Sequence, residues 1–360
     1  MWSDRRLLDL LDIEHPIIQA PMAGAMDFTL AAEVSAAGGL GSLPCAMIGP
    51  DTVREEVGRI RARTNRPFNL NFFCHTPPTP DPAREAAWKQ HLAGYYRELG
   101  LDVSAPTPGA SRAPFDEAMC QLVEALGPKV ASFHFGLPSD GQIDRLKQRG
   151  VVILASATTA AEARALESRG VDAVIAQGYE AGGHRGIFLD ADPVAALSRQ
   201  SGTFALVPQI VDAVKVPVIA AGGVADGRGI AAALMLGAAG VQIGTAYLAC
   251  PESRISRMHR AALAAASDDS TAVTNIMSGR PARGIVNRAI REVGPISPLA
   301  PAFPLASGAL APLRAKAEAD GSGDFSPLWA GQAAGLAREL AAAELTRRLA
   351  EDALALLGRR

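Results

Sequence analysis

A closed (β/α)8 TIM barrel, with an insertion after its third strand and a C-terminal helical cap, is the fold class predicted by this chain of 360 residues. Three observations carry it. Eight short apolar runs, bounded by Gly, Pro or charge, follow one another along residues 16–248. Amphipathic helical patterns separate several of them. The runs are continuously apolar rather than alternating, as expected of strands buried on both faces of a parallel sheet. Composition agrees: the chain is 48% hydrophobic but only 5% aromatic, so Ala, Leu, Val, Ile and Gly must fill the core. Small and branched side chains suit strands and helices that approach closely.

In order, the strands are expected at residues 16–22 (PIIQAPM), 39–43, 68–73, 130–135, 151–157, 173–177, 216–221 and 240–248. Helical patterns occupy 27–37, 50–64, 116–126, 139–149, 159–169 and 227–236. An open doubly wound sheet fits less well, because no GxGxxG turn followed about twenty residues later by an acid succeeds an early strand. Two stretches interrupt the series. Residues 75–114 contain PPTPDP and leave the barrel after the third strand; residues 251–360 follow the eighth and end in a helical pattern over 329–357. Neither shows an apolar core of its own. Residues 1–250 are therefore expected as the barrel, with 75–114 as a lid, and 251–360 as a flanking segment and helical cap packed on it.

Charge and cysteine usage exclude several classes. With 35 basic and 37 acidic residues the chain is no sequence-independent nucleic-acid binder. The four cysteines (Cys45, Cys74, Cys120, Cys250) are scattered without CxxC spacing, which suggests neither a disulfide framework nor a zinc site. Asp4, Arg5, Arg6 and Asp9 interrupt the N-terminus before any secretory apolar segment could form, so a cytoplasmic protein is expected. The uncharged run from Arg228 to Glu252 is long enough for a membrane span, but its glycines divide it into a helix-like and a strand-like half, and no membrane association is expected. The alanine-rich face of 329–357 fits either core packing or a homodimer contact.

In such a barrel, chemistry sits at the C-terminal ends of the strands. Gly222 and Gly223 after the seventh strand, and the turn Gln242-Ile243-Gly244-Thr245 ending the eighth, expose backbone N–H groups able to surround a phosphate. A simple tight turn is the other reading of the glycine pair. Asn71, Gln177 and Gln242 are amides suited to the polar edge of a heterocycle, or to satisfying buried strand ends. Three amides beside a phosphate site point to flavin mononucleotide (FMN) rather than a sugar phosphate, with the backbone of Ala20, Pro21, Met22 and Ala23 against the ring. His184, in a Gly-Gly-His-Arg-Gly turn with Gly182 and Gly183, is the first catalytic candidate; His134, ending the fourth strand, is the second. His15, His75, His91 and His259 are expected to be surface or structural. No cluster has metal-ligand spacing, so no metal is expected.

The segments IIQAPMAG, FNLNFFCH, SFHFG, AQGYEAGGHRG, VIAAGGVADG, GVQIGTAYL and LWAGQ together resemble the nitronate monooxygenases, formerly called 2-nitropropane dioxygenases, from about residue 13 to about residue 340. AQGxEAGGHRG is specific for this flavin superfamily; AAGG and QxGT occur in many FMN barrels. The resemblance implies an FMN enzyme with Asn71, Gln177, Gly182, Gly222, Gly223 and residues 242–245 as flavin contacts, and His184 beside the flavin and substrate. It implies oxidation of a small anionic nitronate by O2 to a carbonyl compound and nitrite. The chain departs from a Tyr-Pro-x-x-Tyr-x-x-x-Lys pattern of the family: Phe303, Ser307 and Ala311 stand at those places, which makes the rim less polar. The rival reading is a NAD(P)H-dependent flavin reductase of the quinone or enoyl-thioester type.

Overall fold

The computed structural model describes residues 1–109 and 112–358. Eight parallel strands form its centre: β1 (Ile17–Gln19), β2 (Gly41–Pro44), β3 (Phe68–Phe73), β4 (Val130–His134), β5 (Val152–Ala157), β6 (Ala173–Gln177), β8 (Val218–Ala221) and β9 (Gly240–Ile243). Hydrogen bonding runs β1-β9-β8-β6-β5-β4-β3-β2, and a parallel bridge between Ile18 and Leu40 closes the ring. The predicted barrel is therefore present. Register sets the level of the strand ends, since Gln177 pairs with Ala221, Ala221 with Gln242, and Asn71 with Ser132.

Seven helices between strands and one from the end of the chain surround the ring. Asp27, Asp116, Ser139, Thr159 and Asp226 cap five of them by accepting a hydrogen bond from a first-turn backbone N–H, which explains why helical patterns begin at or beside these residues. Helix Thr203–Val211, between β6 and β8, carries no sequence signal: its nine residues are mostly apolar and include Pro208. The eighth place belongs to Ala342–Leu357, whose Leu345, Leu349, Ala350 and Ala353 are buried in the barrel core. This helix lies against Phe28–Ala36 and Gly227–Met235, where a Cβ on Gly227 would stand 2.6 Å from that of Asp352. The alanine-rich face is core packing, and the helix begins at Ala342 rather than at Trp329.

The eighth apolar run ends as a strand at Ile243, and Thr245–Leu248 turns into a short helix whose Tyr247 hydroxyl meets Thr346 at 2.8 Å. An apolar run alone cannot distinguish a buried strand from a buried helical turn. The first strand likewise ends at Gln19, leaving residues 20–24 as a loop. The run from Arg228 to Glu252 divides as expected, and no helix among the described residues is long and apolar enough to cross a membrane.

The described residues of 75–114 hold two helices, Pro82–His91 and Ala93–Glu98, and join the later segment in a second core. Trp88, Leu92 and Tyr96 pack with Ile276, Met277, Ile290, Leu313 and Phe325. Trp88 Nε1 donates to the Ala306 carbonyl at 3.0 Å and the Tyr96 hydroxyl to that of Ala309 at 2.6 Å, fixing the excursion to helix Ala306–Ala319. Neither segment has enough apolar surface alone, which is why no core is visible in either sequence. Beside this unit, β7 (Gly183–His184), β10 (Thr271–Thr274) and β11 (Ala282–Ile285) make a small antiparallel sheet in which β11 pairs with both others.

Candidate functional site

The C-terminal strand ends open into one cavity of about 410 Å³, a volume ordinary for a cofactor pocket. Its wall includes Ala20, Pro21, Met22, Ala23, Asn71, His134, Gln177, Gly182, Gly183, His184, Gly222, Gly223, Gln242, Gly244 and Thr245. Ile243 is the exception among the residues predicted for the site: the pleat turns its side chain into the barrel core, and only its backbone carbonyl serves the site, by accepting from Ala20 N–H at 2.8 Å.

One end of the cavity is built at backbone level. Gly222 and Gly223 have φ of +106° and +72°, a region that L side chains rarely adopt. A Cβ on Gly222 would lie 2.8 Å from the Ala181 nitrogen. The N–H groups of Gly222, Gly223 and Thr245 donate to no group among the described residues. Gly182 and Gly331 lie back to back, so close that a Cβ on Gly182 would be 2.5 Å from the Gly331 nitrogen. Gly331 N–H in turn donates to Thr245 Oγ1 at 2.9 Å. Glu180, whose side chain lies beside Gly223, is engaged by helix Thr203–Val211, accepting from the Thr203 N–H and hydroxyl. Free N–H groups converging on a concave, side-chain-free surface fit a phosphate.

The amides divide by what they already hold. Gln242 Oε1 is buried with no partner, an acceptor awaiting a donor. Asn71 donates to Ser132 Oγ at 2.9 Å and leaves its oxygen uncommitted. Gln177 is engaged at both ends of its amide within the protein, donating to the His184 carbonyl at 2.9 Å and accepting from Gly186 N–H at 2.8 Å. Its place is to hold the loop that carries His184. An orphaned acceptor, a flat wall from residues 20–24 and a phosphate-ready end fit a flavin.

His184 is fixed from several sides. Its backbone is a strand edge opposite Ala282. Arg185, fully buried, donates to the carbonyls of Gly178 at 2.6 Å and Gln177 at 2.8 Å and anchors the turn. The His184 ring sits among Phe135, Phe303 and Trp329, with centroids 5.9, 5.3 and 5.4 Å away. His184 Nε2 lies 2.8 Å from Ser278 Oγ, and the Ser278 hydroxyl donates to the Arg280 carbonyl at 3.3 Å. With that proton engaged, the hydrogen-bond network assigns the imidazole hydrogen to Nε2 and leaves Nδ1 as the base, with no partner among the described residues. Burial, then the charge of Arg112, holds its pKa well below 6.5, so the ring is neutral.

His134 is otherwise arranged. Its Nε2 donates to the His184 carbonyl at 3.1 Å and its Nδ1 faces Ser156 Oγ at 2.5 Å, so both nitrogens are occupied. Burial pushes its pKa down to about 3. The histidine expected as the second catalytic group thus has both ring nitrogens committed within the protein. Phe303 does face His184, while Ser307 turns its hydroxyl back to the Pro304 carbonyl at 2.8 Å and Ala311 is exposed.

Sequence reasoning missed part of the wall. His259, expected to be surface or structural, lines the cavity and donates from Nε2 to the Trp329 carbonyl at 3.1 Å. Arg112, Phe73, Arg314, Glu318 and Trp329 also line it. His75 is buried with neither nitrogen partnered and its ring 4.9 Å from that of Phe303. Among the described residues no group of three His, Cys, Asp or Glu is placed to hold a metal.

A (β/α)8 barrel with a phosphate-ready end, an amide-lined floor and a neutral histidine defines the class: a barrel oxidoreductase that holds a flat organic cofactor. Residues 4–352 match the family model described as nitronate monooxygenase. The chain belongs to the nitronate monooxygenase family, whose membership makes it an oxidoreductase and a flavoprotein. It is 44% identical over 349 residues to the nitronate monooxygenase of Pseudomonas aeruginosa, covering 96% of this chain and 98% of that one. Among solved structures it is similar to the nitroalkane oxidase of Streptomyces ansochromogenes, with a TM-score of 0.88 and 39% identity over 97% of this chain and 98% of the other. FabK of Thermotoga maritima shares the fold at a TM-score of 0.73 and 29% identity, covering 98% and 96%.

Proposed function

We propose that the protein is an FMN-dependent nitronate monooxygenase that oxidises small alkyl nitronates with O2 to a carbonyl compound and nitrite. The observation that carries the reading is the free, neutral Nδ1 of His184 in an aromatic enclosure beside an orphaned amide acceptor and a phosphate-ready glycine end. FMN, when bound, supplies the acceptor for the substrate's electrons and the means of reducing O2. Gly222, Gly223, Gly244 and Thr245 would hold its phosphate, Gln242 and Asn71 its polar ring edge, and residues 20–23 its face. His184 contributes a proton acceptor at Nδ1, able to take the α-proton of a neutral nitroalkane; for a substrate already ionised it orients the anion instead. His134 and Gln177 both bind the His184 carbonyl and so fix the angle of the turn that presents the ring. Phe135, Phe303 and Trp329 keep water from it.

Anaerobic mixing of the yellow protein with NADH, NADPH or ethylnitronate tests the reading against the flavin-reductase alternative. Bleaching by the nitronate alone, followed by nitrite release on admitting air, is the expected result. Rapid bleaching by a reduced nicotinamide overturns it.

A further inference from the structure

Three guanidiniums line the cavity, and two have anionic partners. Arg314 pairs with Glu318 at 2.7 Å, and Arg254 lies 3.7 Å from Asp27. The guanidinium of Arg112, delivered by the far end of the 75–114 excursion, has no hydrogen bond or ion pair among the described residues. It is nonetheless half-buried, and its pKa is lowered first by burial and then by the charge of Arg314. A guanidinium carries five donors, and leaving them partly desolvated without an acceptor is unfavourable. It borders His75, whose ring packs 4.9 Å from Phe303, itself 5.3 Å from the His184 ring, which puts it at the catalytic end of the cavity rather than at the glycine end. Around His184 the other rim positions offer nothing equivalent: Phe303 has no hydroxyl, Ser307 is turned to Pro304, and Ala311 is exposed.

We propose that Arg112 is the receptor for the anionic oxygens of the substrate, its planar fork binding the O–N–O group of the nitronate side-on and setting substrate affinity. The match is geometric as well as electrostatic, since two parallel N–H donors meet two coplanar oxygens separated by one atom, as in an arginine–carboxylate pair. Binding also neutralises a charge that disfavours protonation of His184, so the imidazole is more basic with substrate present than without it. The excursion thus supplies a specificity-determining residue as well as covering the mouth. This inference rests on reading the cavity as a nitronate-oxidising site.

Nitrate, a planar oxyanion, serves as probe by calorimetric titration of the flavin-loaded protein. Arg112→Gln is expected to weaken nitrate binding by about tenfold or more and to raise KM for ethylnitronate similarly, with a smaller change in kcat and no loss of flavin. Arg112→Lys should fall between the two, keeping charge but losing the fork. Arg97→Gln, which removes the same charge from an exposed position on the excursion, should match wild type. Absence of nitrate binding to the wild type, or nitrate affinity and KM in Arg112→Gln within about twofold of it, overturns the proposal. If wild type turns over nitronates and Arg112→Gln is indistinguishable, the receptor alone fails. If wild type oxidises no nitronate while nitrate binding still depends on Arg112, the reaction assignment fails and the anion site stands.

Discussion

The two walls of the cavity are built on different principles. The barrel wall is made of strand ends and tight loops, where Gly222, Gly223, Gly244 and residues 20–23 present backbone and very little side chain. The opposite wall is made of large side chains, Arg112, Arg314 and Trp329, from segments far apart in sequence that meet on the second core, with Phe303 behind it against the His184 ring. The first wall is rigid because eight parallel strands fix it, and a cofactor contacting backbone tolerates no added atoms. The second depends on a smaller core and can change its side chains without disturbing the barrel. On the proposed function, holding the cofactor and choosing the substrate would thereby fall to separate walls.

Breaking the barrel wall should have the largest effect. Gly222→Val puts a side chain where φ is +106° and where a Cβ already meets the Ala181 nitrogen at 2.8 Å. The purified variant is expected to be colourless, with little flavin recovered on reconstitution; a normal flavin content would show that this end does not carry the phosphate. Next, His184→Asn should keep its flavin spectrum yet lose about 10²–10⁴ in turnover, as expected for removal of a positioned base or donor. Wild-type turnover in that variant would take His184 out of the chemistry.

Disturbing the second wall should act on substrate rather than cofactor. Trp88→Ala removes a buried indole and its hydrogen bond to Ala306, a change that costs about 3–5 kcal/mol in a packed core. The expected outcome is a lower melting temperature and a raised KM with flavin content preserved; loss of flavin would show that the two walls are not independent.

The last effect concerns pH and acts on the stability of the fold rather than on either wall alone. His134, His75 and His259 have pKa values lowered by burial to about 3, about 4 and about 4. Unfolded, each would titrate near 6.5. The unfolded chain therefore binds protons first, and stability present above pH 6.5 falls as pH drops toward 4, by up to about 1.4 kcal/mol per pH unit for each histidine. Denaturant midpoints measured between pH 7 and 5 check this; a flat profile would mean that these rings are hydrated and titrate normally.

Much of the barrel wall was legible in the sequence because each strand end is a local event: an apolar run stops, and a glycine or amide follows. The helix starts were legible for the same reason, through Asp27, Asp116, Ser139 and Thr159. The second wall was not. Arg112 lies in a proline-rich stretch with no periodicity, and its place is decided by Trp88 and Tyr96 binding a helix more than two hundred residues later. His259 is one residue of an ordinary helix until Trp329 arrives beside it. His134 was read correctly as a strand end facing the site, but only coordinates reveal that both of its nitrogens are engaged.

The helix Ala342–Leu357 has a consequence for synthesis. It occupies a place in the outer ring between helices translated far earlier, and it buries against Tyr247 and Gly227. As the polypeptide emerges from the ribosome, all eight strands are available long before this helix is. The nascent barrel therefore carries an open apolar groove until residue 357 is out, a surface of the kind that chaperones retain and that aggregates when crowded.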